Sequence, residues 1–157
     1  MTDQGTLRLL VLDTSAAVKW YLPEDQREEA LRLLAQVDNG GVELLAPSTI
    51  GPELFNALFQ QYRRSNLSLD EAREFFSSFA EAPVSFFEID SLTQRAVEIS
   101  LDSGVIVYDA LFLALAEDAG AVMVTADDRL LRLLRETSYV SLAHSLSGVD
   151  NLLAGEG

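Results

Sequence analysis

Two hydrophobic rhythms alternate along this chain. Short, mostly apolar runs cover 7–12, 42–46, 84–89, 121–125 and 139–143. Continuous runs of this length predict buried strands, whereas apolar positions recurring every three or four residues predict amphipathic helices. After the first run, Asp13-Thr14-Ser15 offers helix caps, and a short helix is expected over 16–22, stopped by Pro23. Residues 24–37 place Ala30, Leu31, Leu33, Leu34 and Val37 on one face and end at Asn39-Gly40-Gly41. Pro47-Ser48-Thr49 opens a helix that ends near Arg63-Arg64, in which Pro52 is tolerable only within the first turn. Ser68-Leu69-Asp70-Glu71 is a capping box, followed by the stripe Leu69, Ala72, Phe75, Phe76 and Phe79. Asp90-Ser91 predicts the start of a helix closed by Gly104, and Asp127 or Asp128 the start of one carrying Leu130, Leu131, Leu133 and Leu134. Residues 1–6 and 147–157 read as tails around a single domain over 7–143.

The stretch Val105-Ile106-Val107-Tyr108-Asp109 and the run 110–116 after it stand apart. That run is apolar on every face, which predicts a helix inside the protein with one carboxylate, Asp109, at its mouth. Strands that are apolar throughout and alternate with helices imply an α/β fold with a mostly parallel sheet covered on both faces. In such sheets ligands bind beyond the carboxyl ends of the strands. Asp13 follows the first strand and Asp127-Asp128 the fourth, while Glu53 and Asp109 fall in the first turns of helices facing the same rim. The coarse fold therefore brings four carboxylates from distant sequence toward one edge. Each has a plainer reading: Asp13 and Asp109 as caps, Glu53 as a favourable first-turn charge, and one of Asp127 and Asp128 as the cap of the last helix.

Clustered carboxylates repel one another, and a divalent cation offsets that repulsion far better than helix dipoles do. The chain has no cysteine and a single histidine, His144. Thiolate and multi-histidine zinc sites are thus excluded, and oxygen donors suit Mg²⁺ or Mn²⁺. His144 reads as a packing or surface residue. No P-loop and no Gly-x-Ser-x-Gly elbow is present. A phosphatase of the haloacid dehalogenase kind wants a second aspartate two residues after the first, and that position is Ser15.

Composition changes the picture in one respect. The 157 residues carry a formal net charge of −14, against the usual basic signature of nucleic-acid binding. Arg63, Arg64, Arg129, Arg132 and Arg135 are the candidates for phosphate contact, though each also reads as a helix-end or solvated charge. The N-terminal residues do not read as a signal peptide and no apolar stretch approaches membrane-spanning length, so the expected compartment is the cytoplasm, with no membrane partner.

Four segments in order resemble the PIN-domain nucleases. They are Val11-Leu12-Asp13-Thr14-Ser15 with Val18-Lys19-Trp20; Ala46-Pro47-Ser48 through Pro52-Glu53-Leu54-Phe55-Asn56-Ala57-Leu58; Tyr108-Asp109-Ala110-Leu111; and Val124-Thr125-Ala126-Asp127-Asp128-Arg129-Leu130. Together they span nearly the whole chain, and the length is similar to that of VapC toxins of toxin–antitoxin pairs. The resemblance implies a three-layer α/β/α PIN-like fold with about five strands, and a Mg²⁺- or Mn²⁺-dependent endoribonuclease acting on RNA. It implies Asp13, Glu53, Asp109 and Asp127 as the catalytic, metal-binding acids, and Ser15 and Thr125 as polar neighbours. It places Asn56 where it orients Glu53, and Asp128 beside the set. It further implies a homodimer and a VapB-like antitoxin. A PIN-family RNA-processing nuclease outside such a pair, or a catalytically silent PIN-like binding module, stand as alternatives.

Overall fold

A computed structural model describes residues 7–155. The expected tail over 1–6 lies outside the described residues. The apolar runs form five parallel strands: β1 (Arg8–Leu12), β2 (Val42–Pro47), β3 (Val84–Phe87), β4 (Val122–Thr125) and β5 (Ala143–Ser145). Their order is β3-β2-β1-β4-β5, with Leu10 of β1 in register with Leu44 of β2 and Val122 of β4. The connection from β1 runs outward to β2, whereas β4 lies on the other side of β1. The gap between the carboxyl ends of β1 and β4 is therefore the topological switch point, where open parallel sheets bind ligands.

The helices are α1 (Thr14–Ala17), α2 (Arg27–Asp38), α3 (Ile50–Arg63), α4 (Leu69–Ala80), α5 (Thr93–Ser103), α6 (Val107–Ala119), α7 (Asp128–Leu134) and α8 (Val149–Leu153). α6 crosses β1, β2 and β4 with α5 packed outside it, while α2 lies on β2. Right-handed crossovers set α2 to α4 on one face and α5 to α7 on the other, giving three layers. Every residue from Ala110 to Ala116 is buried, as a helix apolar on all sides requires. The capping box is formed: Ser68 Oγ accepts from Glu71 N–H, and Glu71 Oε1 accepts from Ser68 N–H, each at 3.0 Å. Gly40, Gly104 and Gly120 take left-handed φ at or beside the ends of α2, α5 and α6. Among the described residues no single helix is long and apolar enough to cross a membrane.

Several elements differ from the sequence reading. Residues 18–20 leave α1 as a 3₁₀ turn, tied down by Trp20 Nε1 donating to Ala30 O at 2.9 Å. The strand expected over 139–143 is displaced to β5, because Val140–Leu142 forms a 3₁₀ turn. There Tyr139 is apolar in pattern but anchored by its hydroxyl, which donates to Asp102 at 2.7 Å. Asp90 and Ser91 do not cap α5; Leu92 holds the cap position, and Thr93 Oγ1 donates to Ile89 O instead. On α4 only Ala72 and Phe79 are buried, since this helix packs on α3 rather than on the sheet. The stretch from 147 is no loose tail as far as it is described. α8 buries Val149 and Leu152, and Asp150 receives two 2.9 Å hydrogen bonds from Arg32 of α2.

Candidate active site

Asp13 leaves the end of β1 at the switch point and is 5% exposed. Its backbone N–H continues the ladder to Val124 O at 3.1 Å. Its Oδ2 accepts from Thr125 Oγ1 at 2.6 Å and from Ser15 Oγ at 2.7 Å. A hydroxyl carries one hydrogen. Both are spent on Asp13, so the 3.1 Å contact between Ser15 and Thr125 is only a close approach of two oxygens. Each oxygen also accepts a backbone hydrogen, Ser15 Oγ from Ala126 and Thr125 Oγ1 from Asp127. This knot joins β1, α1 and the loop after β4. Burial pushes the Asp13 carboxyl up. The two hydroxyls and the Thr14 backbone hold it down in part, and Asp127 adds to the rise.

Glu53 reaches the same place from the first turn of α3, where Pro52 costs no hydrogen bond. Its Oε2 accepts from Thr14 Oγ1 at 3.0 Å. Its Oε1 is buried without a hydrogen-bond partner, and so is the hydroxyl of Thr49. Burial, with the charges of Asp13 and Asp109 adding to it, pushes Glu53 up to about 7 against the opposing pull of the Thr14 and Thr49 hydroxyls. Asp109 stands in the first turn of α6, whose cap position belongs to Ile106, so Asp109 is not a cap. It is pushed up to about 6 by burial, then by Asp13 and Asp127. Asp127 is the cap of α7: Oδ1 accepts from Leu130 N–H at 3.0 Å. The residue that the sequence placed in the acid set is thus also the structural cap, and Asp128 is the exposed first residue of the helix.

The structure brings Glu53, Asp109 and Asp127 each within electrostatic reach of Asp13. No ion pair reaches any of the four among the described residues. Nor do any three Asp, Glu, His or Cys side chains already stand close enough to close on a metal ion among those residues. Ser15 and Thr125 lie inside the site, whereas Asn56 is exposed and the hydroxyl of Thr14 holds Glu53 instead. Sequence reasoning missed Thr14 and Thr49 as site residues. Their signal was their position, one beside Asp13 and the other just before the helix of Glu53. His144 sits half-buried on β5 with Nδ1 2.9 Å from Ser145 O, a packing residue as read.

By its chemistry the donor set suits a hard divalent cation: it consists of oxygens alone, and no ion pair of the described residues neutralises it.

A parallel sheet between two helical layers, with only the edge strand β3 left largely exposed beyond Val84, and an acidic site at its switch point define an α/β/α domain built around carboxylates. Comparison with known proteins makes this specific. The PIN domain family matches residues 10–135, and the chain belongs to that family. It is 32% identical over 123 residues to Ribonuclease VapC3 of Pyrobaculum aerophilum, covering 77% of this chain and 91% of that protein. It is also similar to the crystal structure of PAE2754 from Pyrobaculum aerophilum, with TM-score 0.69 and 20% identity over 94% of this chain and 96% of that one. VapBC2 from Rickettsia felis, solved bound to a DNA fragment from its promoter, shares the fold at TM-score 0.58 and 14% identity, covering 87% and 98%.

Proposed function

We propose that this protein is a Mg²⁺- or Mn²⁺-dependent endoribonuclease and the VapC-type toxin of a toxin–antitoxin pair. The observation that carries the reading is the convergence of Glu53, Asp109 and Asp127 on Asp13 at the switch point, with no ion pair to any of the four among the described residues. The similarity to a ribonuclease and to a VapBC assembly supports it.

Asp13, Asp109 and Asp127 would hold the cation, with Glu53 directly or through water. A divalent cation at such a site supplies charge neutralisation for a phosphodiester and a more acidic water. The chain's own groups do the rest. Ser15 and Thr125 fix the Asp13 carboxylate through Oδ2, and Thr14 fixes Glu53 through Oε2. With its pKa raised toward neutrality, the Glu53 carboxyl is suited to hold and release a proton during in-line attack of water on phosphorus. The bond from phosphorus to the 3′ oxygen breaks, leaving a 5′-phosphate and a 3′-hydroxyl.

The partners in this reading are an RNA substrate, a VapB-like antitoxin and a second copy of the chain, in the cytoplasm. A surface of net charge −14 favours an antitoxin whose inhibitory segment is basic. The decisive test is cleavage of labelled single-stranded RNA with Mg²⁺ or Mn²⁺ and with EDTA. Asp13→Asn is expected to abolish cleavage while keeping the far-ultraviolet circular dichroism of the parent. Metal-dependent cleavage retained by that variant would overturn the assignment.

A further inference from the structure

The reading above names RNA but not where a nucleotide sits, and the following inference rests on it. A cleft of about 310 Å³ opens beside the acids, between the start of α6 and α7. Asp109, Asp127 and Arg129 line it together with the apolar Val105, Ile106 and Leu133.

Arg129 is not accounted for by the stability of the fold. It is exposed and takes part in no ion pair among the described residues, although the chain holds 25 acidic side chains and Asp127 and Asp128 directly precede it. The ion pairs that do form engage Lys19, Arg32, Arg73 and Arg95, and of the unpaired arginines it is Arg129 that lines this cleft. It also stands in the first turn of α7, where a cation opposes the helix dipole. On the same cleft Ile106 is 63% and Leu133 45% exposed, so apolar surface is left to water next to a free guanidinium. The volume is at the lower end of the roughly 300–1,000 Å³ range of small-ligand pockets, which matches one nucleotide.

We propose that this cleft is a single-nucleotide subsite of the nuclease. The Arg129 guanidinium takes a phosphate of the RNA strand, and the adjoining base lies against Ile106 and Leu133. The charge pattern fits. A phosphate approaching Asp109 and Asp127 needs positive charge on its other side, and the planar fork of an arginine binds phosphate oxygens in pairs. A base offers a flat apolar face whatever its identity, so the subsite selects single-stranded nucleotides rather than sequence.

The test titrates protein labelled at isoleucine and leucine methyls with adenosine 5′-monophosphate in Mg²⁺, following NMR shifts, with inorganic phosphate in a second titration. The methyls of Ile106 and Leu133 are expected to move with the nucleotide far more than with phosphate. Arg129→Ala weakens that binding about tenfold. Arg73→Ala, on α4, leaves it unchanged. In cleavage of single-stranded RNA, Arg129→Ala raises KM with kcat held, and the salt slope of kcat/KM becomes shallower by about 0.7. Arg129→Lys restores the slope. Methyl shifts that are absent, or equal in Arg129→Ala, while the parent cleaves RNA overturn the subsite and leave the nuclease intact. Specific methyl shifts in a parent that cleaves no RNA leave a nucleotide site and overturn the nuclease.

Discussion

Glu53→Gln separates the electrostatic cost of the site from its chemistry. In the parent the Glu53 carboxyl is pushed from an ordinary 4.5 up to about 7, first by burial and then by Asp13 and Asp109. A folded-state pKa above the unfolded value means that the native state holds the proton more tightly. The resulting stability is fully present below pH 4.5 and is lost as pH rises through 7. At full weight such a shift corresponds to about 3 kcal/mol. The carboxylate is partly exposed, so water screens it, and about 1.5 kcal/mol is the appropriate size. Glutamine keeps an acceptor for Thr14 Oγ1 and carries no charge. In EDTA, the variant is therefore expected to melt about 3–6 °C above the parent at pH 8 and level with it at pH 4.5. The parent should regain the difference on adding Mg²⁺, and the variant should gain less. Thermal melts followed by circular dichroism at the two pH values decide it. A variant less stable than the parent at pH 8, or an offset equal at both pH values, refutes the electrostatic reasoning.

Two further substitutions test the rest of the site. Thr125→Val keeps the shape but removes the 2.6 Å hydrogen bond to buried Asp13, and is expected to cost about 1–3 kcal/mol in a denaturant titration at pH 7. The loss should shrink in acid, because the carboxyl it leaves underserved then takes a proton; a loss independent of pH would point to packing alone. Asp127 is a helix cap and a proposed member of the acid set, and two variants divide the two. Asp127→Ala loses the cap bond to Leu130 and about 1 kcal/mol, whereas Asp127→Asn keeps the cap and its stability; both are expected to lose RNA cleavage. Cleavage surviving in the asparagine variant would reduce Asp127 to a cap.

What could be read in the sequence follows from how local each signal was. The helix of Asp109 was legible because seven consecutive small or apolar residues leave it no solvent face, and all seven are buried. The convergence of the acids was legible because parallel strands put every strand end on one rim. The double duty of Asp127 was legible only as an alternative, since Asp127 and Asp128 are equally good caps on paper and the choice depends on where the chain leaves β4. The displaced β5 and the helix over 149–153 were not legible. An element of three to five residues has no period to detect, and Tyr139 is buried through a hydroxyl on Asp102 that lies far away in sequence. The grip of Thr14 on Glu53 spans 39 residues and depends on how α3 settles against α1, which pattern alone does not determine.

The means by which Asp13 is satisfied ties fold to function. A carboxylate 5% exposed needs partners, and an arginine would have met that need more strongly than two hydroxyls do. An arginine would also have cancelled the charge and kept the site from any cation. Ser15 and Thr125 satisfy one oxygen while leaving the charge in place. They come from opposite sides of the switch point, so the hydrogen bonds that hold α1 to the end of β4 are the same ones that aim the carboxylate. Glu53 and Asp109 carry the cost of the site, their carboxyls raised first by burial and then by the like charges beside them. The fold thus carries a local instability at its acidic rim, and the doubly charged ion proposed above would relieve it, so that binding there would be favoured by the strain it removed as well as by the bonds it made.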